Sequence, residues 1–163
     1  KLFKIGVEKV ILNSIVFIKP EIITKAAKIA GNQSVVVSID IKKNWLGKRK
    51  VYSHVSKKLM DENPIDFALR MQRIGAGELI INSVDNDGMM NGYDLELIDQ
   101  LSSKLEIPVV ACGGAGNFEH LKKAILQGGA SAVAAGSLFV FHGPLKGVLI
   151  NYPNQKQLID IFK

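Results

Sequence analysis

Asp40 closes the run VVVSID, an apolar stretch in which an ionised carboxylate is costly unless it is paired or wetted by a site. A carboxylate placed there serves as a general acid or base, or else caps a helix or takes a salt bridge; the residues alone leave both readings open. A second feature is glycine. From Pro108 to Phe141 the chain reads PVVACGGAGNFEHLKKAILQGGASAVAAGSLFVF, two apolar runs that each end in small residues, with a lysine-bearing helical pattern between them. Tight turning alone would use Gly113, Gly114, Gly116 and Gly136. At the ends of neighbouring strands, Gly113 and Gly114 with Gly136 and Ser137 would also expose backbone N–H groups that converge on phosphate oxygens, so an anion cradle is expected there.

The segment NSVDNDGMMNGYD adds Asp85 and Asp87 in a loop. Asx turns and helix capping, by Asp94 above all, account for some of these acids. No His, Cys and Asp set has metal-ligand spacing, and His54, His120 and His142 read as surface or packing residues. No metal and no cofactor is expected. The single cysteine, Cys112, has no partner for an internal disulfide and no CxxC spacing, and reads as structural filler.

These residues need elements to hold them. Short β-branched runs at residues 9–13, 35–41, 78–84, 108–112 and 131–136 alternate with amphipathic helical patterns near 20–30, 64–74, 94–104 and 117–127. Strands apolar on both faces, each followed by a helix, indicate a parallel sheet covered by helices, the α/β class. IGVEKV, IGAGEL and QGGASA each place a glycine-containing helix end just before a strand, a repeated grammar that fits a doubly wound sheet or a (β/α)8 barrel. No strand carries GxGxxG with a following acid, which favours the barrel. Five strands do not close one, and a barrel takes about 250 residues. Residues 1–163 are therefore expected to be the C-terminal portion of a single (β/α)8 barrel domain, strands four to eight, beginning inside a helix at KLFKIG.

With 163 residues, 47% hydrophobic and 22% charged, the chain has the material for one globular core. No apolar run reaches the roughly 18 residues of a membrane span, and the N-terminus shows no signal-peptide pattern, so a cytoplasmic protein is expected. The net charge of +6 raises the question of nucleic acid. Its one cluster, KKNWLGKRK followed by Lys57 and Lys58 and interleaved with Trp45, Tyr52 and His54, lacks a recognition motif. It reads as a solvated or substrate-covering loop, with neither nucleic acid nor membrane expected as partner.

VVVSID, GAGELIINSVDNDGMMNGYDLELI and IPVVACGGAGNFEHL, in that order, resemble the HisF family, the cyclase subunit of imidazole glycerol phosphate synthase. The likeness covers nearly the whole chain and weakens after Val140. It implies a (β/α)8 barrel that receives ammonia through its core from a glutaminase partner, HisH. At the opposite face it would convert a phosphoribulosyl-formimino aminoimidazole carboxamide ribonucleotide to imidazole glycerol phosphate and an aminoimidazole ribonucleotide.

By the same resemblance Asp40 is one of two catalytic carboxylates, the one at the end of the fifth barrel strand; its partner belongs to the first strand, which this sequence does not contain. Asp87 and Gly88 match the substrate loop after strand six. Asn13 and Ser14 match the phosphate-binding end of strand four, and Gly113, Gly114, Gly136 and Ser137 the other phosphate cradle. Lys9 and Glu78 match the charged ring where ammonia enters, although an ordinary bottom-face ion pair needs the same residues.

The sequence departs from the family at SHVSKKLMDEN and in carrying Asn82, within the substrate set, and Met89 where threonine is usual. The ending GSLFVFHGPLKGVLINYP is similar instead to HisF-like paralogues of surface-polysaccharide amidation, which work with a HisH-like glutaminase on the way to an acetamidino sugar. The expected activity is that of an ammonia-using, lyase-type synthase subunit acting on a phosphorylated or nucleotide-linked small molecule. The true histidine-pathway cyclase is the alternative within this class, and a non-catalytic phosphate-binding barrel the alternative outside it.

Overall fold

The computed structural model describes residues 1–143, 145–150 and 152–162. In chain order its elements are β1 (Val10–Leu12), α1 (Glu21–Ala30), β2 (Val35–Lys43), β3 (Arg49–Ser53), β4 (Lys58–Leu59), α2 (Pro64–Arg73), β5 (Glu78–Ser83) and α3 (Leu95–Ser102). There follow β6 (Val109–Cys112), α4 (Phe118–Leu126), β7 (Ala132–Val133), α5 (Ser137–Val140), β8 (Phe141–His142), β9 (Gly147–Val148) and α6 (Gln155–Phe162). The helical start read at KLFKIG is a 3-10 turn, Leu2–Ile5.

β1, β2, β5, β6 and β7 lie side by side in sequence order and all run parallel. These are the five strands expected, with the four expected helices α1 to α4 between them. Such a parallel α/β arc has the architecture of part of a (β/α)8 barrel. Among the described residues β1 and β7 do not pair with each other, so the arc is open.

The two faces of the arc differ in kind. Val35, Val37, Ile39 and Ile41 of β2 join Leu79, Ile81, Val109 and Ala111 in one core with Ile23 of α1, Phe67 and Met71 of α2, Leu97 and Leu101 of α3 and Leu121 of α4. Because successive side chains of a strand alternate, the other face carries Val36, Ser38, Asp40, Ile80, Asn82, Val110 and Cys112. Among the described residues that concave face adds nothing to the helix-packed core, and Ile11 on its β1 edge is 62% exposed. Cross-strand register then sets its rows: Ser38 beside Ile80, Val110 and Ala132, and one step higher Asp40 beside Asn82 and Cys112.

Asparagine and aspartate start three of the helices. Asn63, Asp94 and Asn117 each accept a hydrogen bond from a backbone N–H of the first turn of α2, α3 and α4, satisfying donors the helix itself leaves unpaired. The cap expected of Asp94 is thus present.

The segment KKNWLGKRK is a β-hairpin, not a loop. β2 runs on past Asp40 to Lys43 and turns through Asn44–Gly47, and β3 returns antiparallel, with β4 added outside it. The turn is local chemistry: Asn44 Oδ1 accepts from the Leu46 and Lys48 amides, and Gly47 takes a φ of 74°. A run of lysines carries no apolar alternation, so the strand pattern was hidden.

Candidate active site

Asp40 lies at the C-terminal end of the buried part of β2 and is 5% exposed. Both of its oxygens are held. Asn82 Nδ2, from the register partner on β5, donates to Oδ1 at 2.8 Å, and Asn13 Nδ2, just past β1, donates to Oδ2 at 2.7 Å. Asn13 in turn accepts from Ser14 Oγ at 3.0 Å. His54 brings Nε2 to 3.5 Å from Asp40 Oδ2, its ring set edge-on against Tyr52 at 4.8 Å. The sequence reading, which placed His54 among surface and packing residues, missed this contact. In the sequence alone the hairpin that delivers it has the pattern of a loop.

Three parallel strands and one antiparallel return therefore converge on one carboxylate. Two neutral amide donors hold its oxygens and bring no charge of their own, leaving lone pairs open to a group that exchanges a proton there. Asn82 Oδ1 is buried with no hydrogen-bond partner among the described residues. An orphaned acceptor costs about 1–3 kcal/mol unless a donor meets it.

The glycine set forms a second group. Asp87, Gly88, Gly113, Gly114, Gly136 and Ser137 line one small cavity with Cys112, so all the residues of the expected cradle and substrate loop come together. Their reasons for being small differ. A Cβ on Gly114, whose φ is 114°, would stand 2.1 Å from the Gly92 carbonyl oxygen, because Gly92 N–H donates to Gly114 O at 2.7 Å and locks the two loops together. A Cβ on Gly136 would meet nothing within 4 Å. Tight packing thus explains Gly114, whereas the space beside Gly136 is unfilled. Tyr93 O–H donates to Ala134 O at 2.9 Å and ties the loop after β5 to the end of β7. Burial raises the Tyr93 pKa far above its usual range.

Cys112 stands between the two groups. Burial first, then the negative charge of Asp87, push its thiol above the ordinary cysteine range, outweighing the Gly113 N–H that favours the thiolate. A neutral thiol here lines the site rather than attacking.

At the opposite end of the concave face, Lys9 Nζ pairs with Glu78 Oε2 at 2.5 Å. Glu78 opens β5 and Lys9 precedes β1, so the pair marks the bottom of the arc as Asp40 marks its top. Among the described residues no group of three His, Cys, Asp or Glu side chains is placed to hold a metal ion.

A model of the histidine biosynthesis protein family matches residues 1–145. The chain belongs to that family. Its curated relatives include a Pseudomonas aeruginosa protein provisionally named imidazole glycerol phosphate synthase subunit hisF2, 41% identical over 97% of this chain and 63% of its own length. A Leptospira interrogans protein provisionally named imidazole glycerol phosphate synthase subunit HisF is 42% identical over 99% of this chain and 64% of its own length. The imidazole glycerol phosphate synthase subunit HisF of Chlorobaculum tepidum is 41% identical over 83% of this chain and 54% of its own length. The HisF resemblance carried by the strand-end motifs agrees with these names. The chain spans less than two thirds of each of these relatives.

Proposed function

We propose that residues 1–163 form the C-terminal portion of one barrel domain in a HisF-type synthase subunit of a glutamine-dependent amidotransferase. The subunit takes ammonia from a HisH-like glutaminase and delivers it to a phosphorylated or nucleotide-linked small molecule. The observation that carries this reading is Asp40: a buried carboxylate held by Asn13 and Asn82 at the top of the concave face, with the Lys9–Glu78 pair at the bottom of the same face. In this reading Asp40 is the general acid or base, and Asn82, Asp87 and Gly88 meet the substrate. Asn13, Ser14, Gly113, Gly114, Gly136 and Ser137 hold phosphate, and Lys9 and Glu78 admit ammonia.

Of the substrates open to such a subunit, a sugar destined to carry an acetamidino group is favoured by the ending GSLFVFHGPLKGVLINYP, while Asn82 and Met89, where threonine is usual in the family, count against the standard substrate. The Pseudomonas aeruginosa relative's name, hisF2, also numbers it apart from a plain HisF. The histidine-pathway cyclisation is the second reading, favoured by the name of the Chlorobaculum tepidum relative.

The test uses the full-length protein with its glutaminase, following product with glutamine and separately with an ammonium salt. Asp40→Asn keeps size and much of the hydrogen bonding but removes the carboxylate. Turnover is expected to fall about 10²- to 10⁴-fold with both nitrogen sources, substrate binding being largely retained. Full activity in that variant with both nitrogen sources would make Asp40 structural, whereas no product from the unaltered protein with either source would favour a non-catalytic phosphate-binding barrel.

A further inference from the structure

The β2–β3 hairpin carries a charge pattern that its own folding opposes. Residues 42–50 hold five cations and no carboxylate, and the register sets Lys42 directly across from Lys50 and Lys43 directly across from Arg49. Like charges facing each other across a ladder destabilise it. Arg49 is relieved by a bidentate pair with Asp94 and a further contact with Glu96. Lys42 rests over the Tyr52 ring and Lys50 Nζ donates to the Asp61 carbonyl oxygen. None of the four lysines has an ion-pair partner among the described residues.

At the tip of this cationic ribbon, Trp45 is 90% exposed and Leu46 57%. The tip is also fixed. Asn44 closes the turn through two backbone amides, the Lys43 amide donates to Asp85 Oδ2 at 2.7 Å, and Arg49 clamps the base of β3 to the start of α3. Arg49 ties the ribbon to the N-terminal turn of α3 through Asp94 and Glu96. Between the ribbon and helices α2 and α3 lies a cavity of about 340 Å³ whose lining includes Lys48, Lys50, Asn63 and Gln100, donors suited to a phosphate headgroup.

We propose that this hairpin docks the protein on an anionic lipid bilayer, Trp45 and Leu46 entering the interface while Lys43, Lys48 and Lys50 meet the headgroups. An indole at the boundary of water and hydrocarbon, flanked by lysines, matches the chemistry of that surface on both counts. The docking is peripheral: among the described residues no helix is long and apolar enough to cross a membrane. It stands apart from the assignment of Asp40 and departs from the expectation of a merely solvated or substrate-covering segment.

Trp45 is the single tryptophan of this sequence, and that supplies the probe. The full-length protein and its Trp45→Phe variant are titrated with phosphatidylcholine vesicles containing about 30% phosphatidylglycerol, the difference in emission reporting position 45 alone and sedimentation reporting binding. The proposal expects a blue shift of Trp45, co-sedimentation that weakens with salt, and a loss of affinity of about fivefold for each of Lys43→Gln and Lys48→Gln. Both glutamine variants leave the Asn44 turn and the Arg49 clamp in place, and their circular dichroism serves as the control for folding. Absence of both the shift and the sedimentation overturns the proposal. Equal binding to pure phosphatidylcholine overturns its electrostatic half. Binding to a single-stranded oligonucleotide with none to the vesicles replaces it by a nucleic-acid surface.

Discussion

Asn82 reaches across from β5 to donate its amide to Asp40 Oδ1 at 2.8 Å, so the orientation of the carboxylate depends on its register neighbour. Asn82→Thr keeps a donor and restores the residue expected in the family, and turnover should stay within a few-fold of the starting protein. Asn82→Asp should be far worse. Two carboxylates at that separation cannot both ionise, so one takes a proton and the donor to Asp40 becomes its rival. Steady-state kinetics on the two variants should show the aspartate losing kcat with KM changed less; equal effects would mean that Asn82 only fills space.

The cradle glycines should separate by mechanism. Gly114→Ala forces a methyl onto the Gly92 carbonyl at a positive φ, and a loss of about 2 kcal/mol or more in urea unfolding is expected. Gly136→Ala meets open space and should change stability by no more than about 0.5 kcal/mol. If the unfilled space holds phosphate, the second variant alone weakens inorganic phosphate binding without unfolding anything, which calorimetry reads directly.

The parallel strands and their order were legible because buried strands such as VVVSID and PVVAC are short apolar runs bounded by helix ends, and the sheet needs nothing else to be recognised. The positions of Asp40, Gly113 and Gly136 at strand ends were legible for the same reason. The His54 contact with Asp40 was not, since it depends on a hairpin whose paired strands are rich in lysine and arginine and whose turn is set by one asparagine side chain. Nor was the difference between Gly114 and Gly136. Both are small residues at strand ends, and only the approach of the loop carrying Gly92 tells packing from open space.

Cys112 supplies a pH test. Its folded pKa is raised, so the native state keeps the proton more tightly than the unfolded chain. The stabilisation is fully present below the unfolded value of about 8.5 and is lost as pH rises through the folded one. Unfolding free energy should therefore decline above about pH 8.5, and Cys112→Ala should flatten part of that decline. Iodoacetamide should alkylate Cys112 in the folded protein more slowly than a free cysteine at the same pH. Asp87→Asn, which removes one of the charges opposing the thiolate, should speed the reaction. A rate that matches free cysteine would contradict the buried, neutral thiol.

Lys9 and Glu78 pose the last question, because one short ion pair serves two readings. As a structural contact it is weak: the Lys9 side chain is 52% exposed, and pairs so open to water contribute at most about 1 kcal/mol. Lys9→Ala should hardly move the urea midpoint. As part of an ammonia entrance, its place at the foot of the concave face, opposite Asp40, makes it matter only to nitrogen arriving from the partner. The ratio of glutamine-driven to ammonium-driven turnover should then fall in Lys9→Ala, with phosphate binding at the far end unchanged. Glu78→Gln, which keeps the shape and removes the opposite charge, should shift the same ratio. If both variants leave the ratio where it was, the pair is a bottom-face contact and ammonia enters elsewhere.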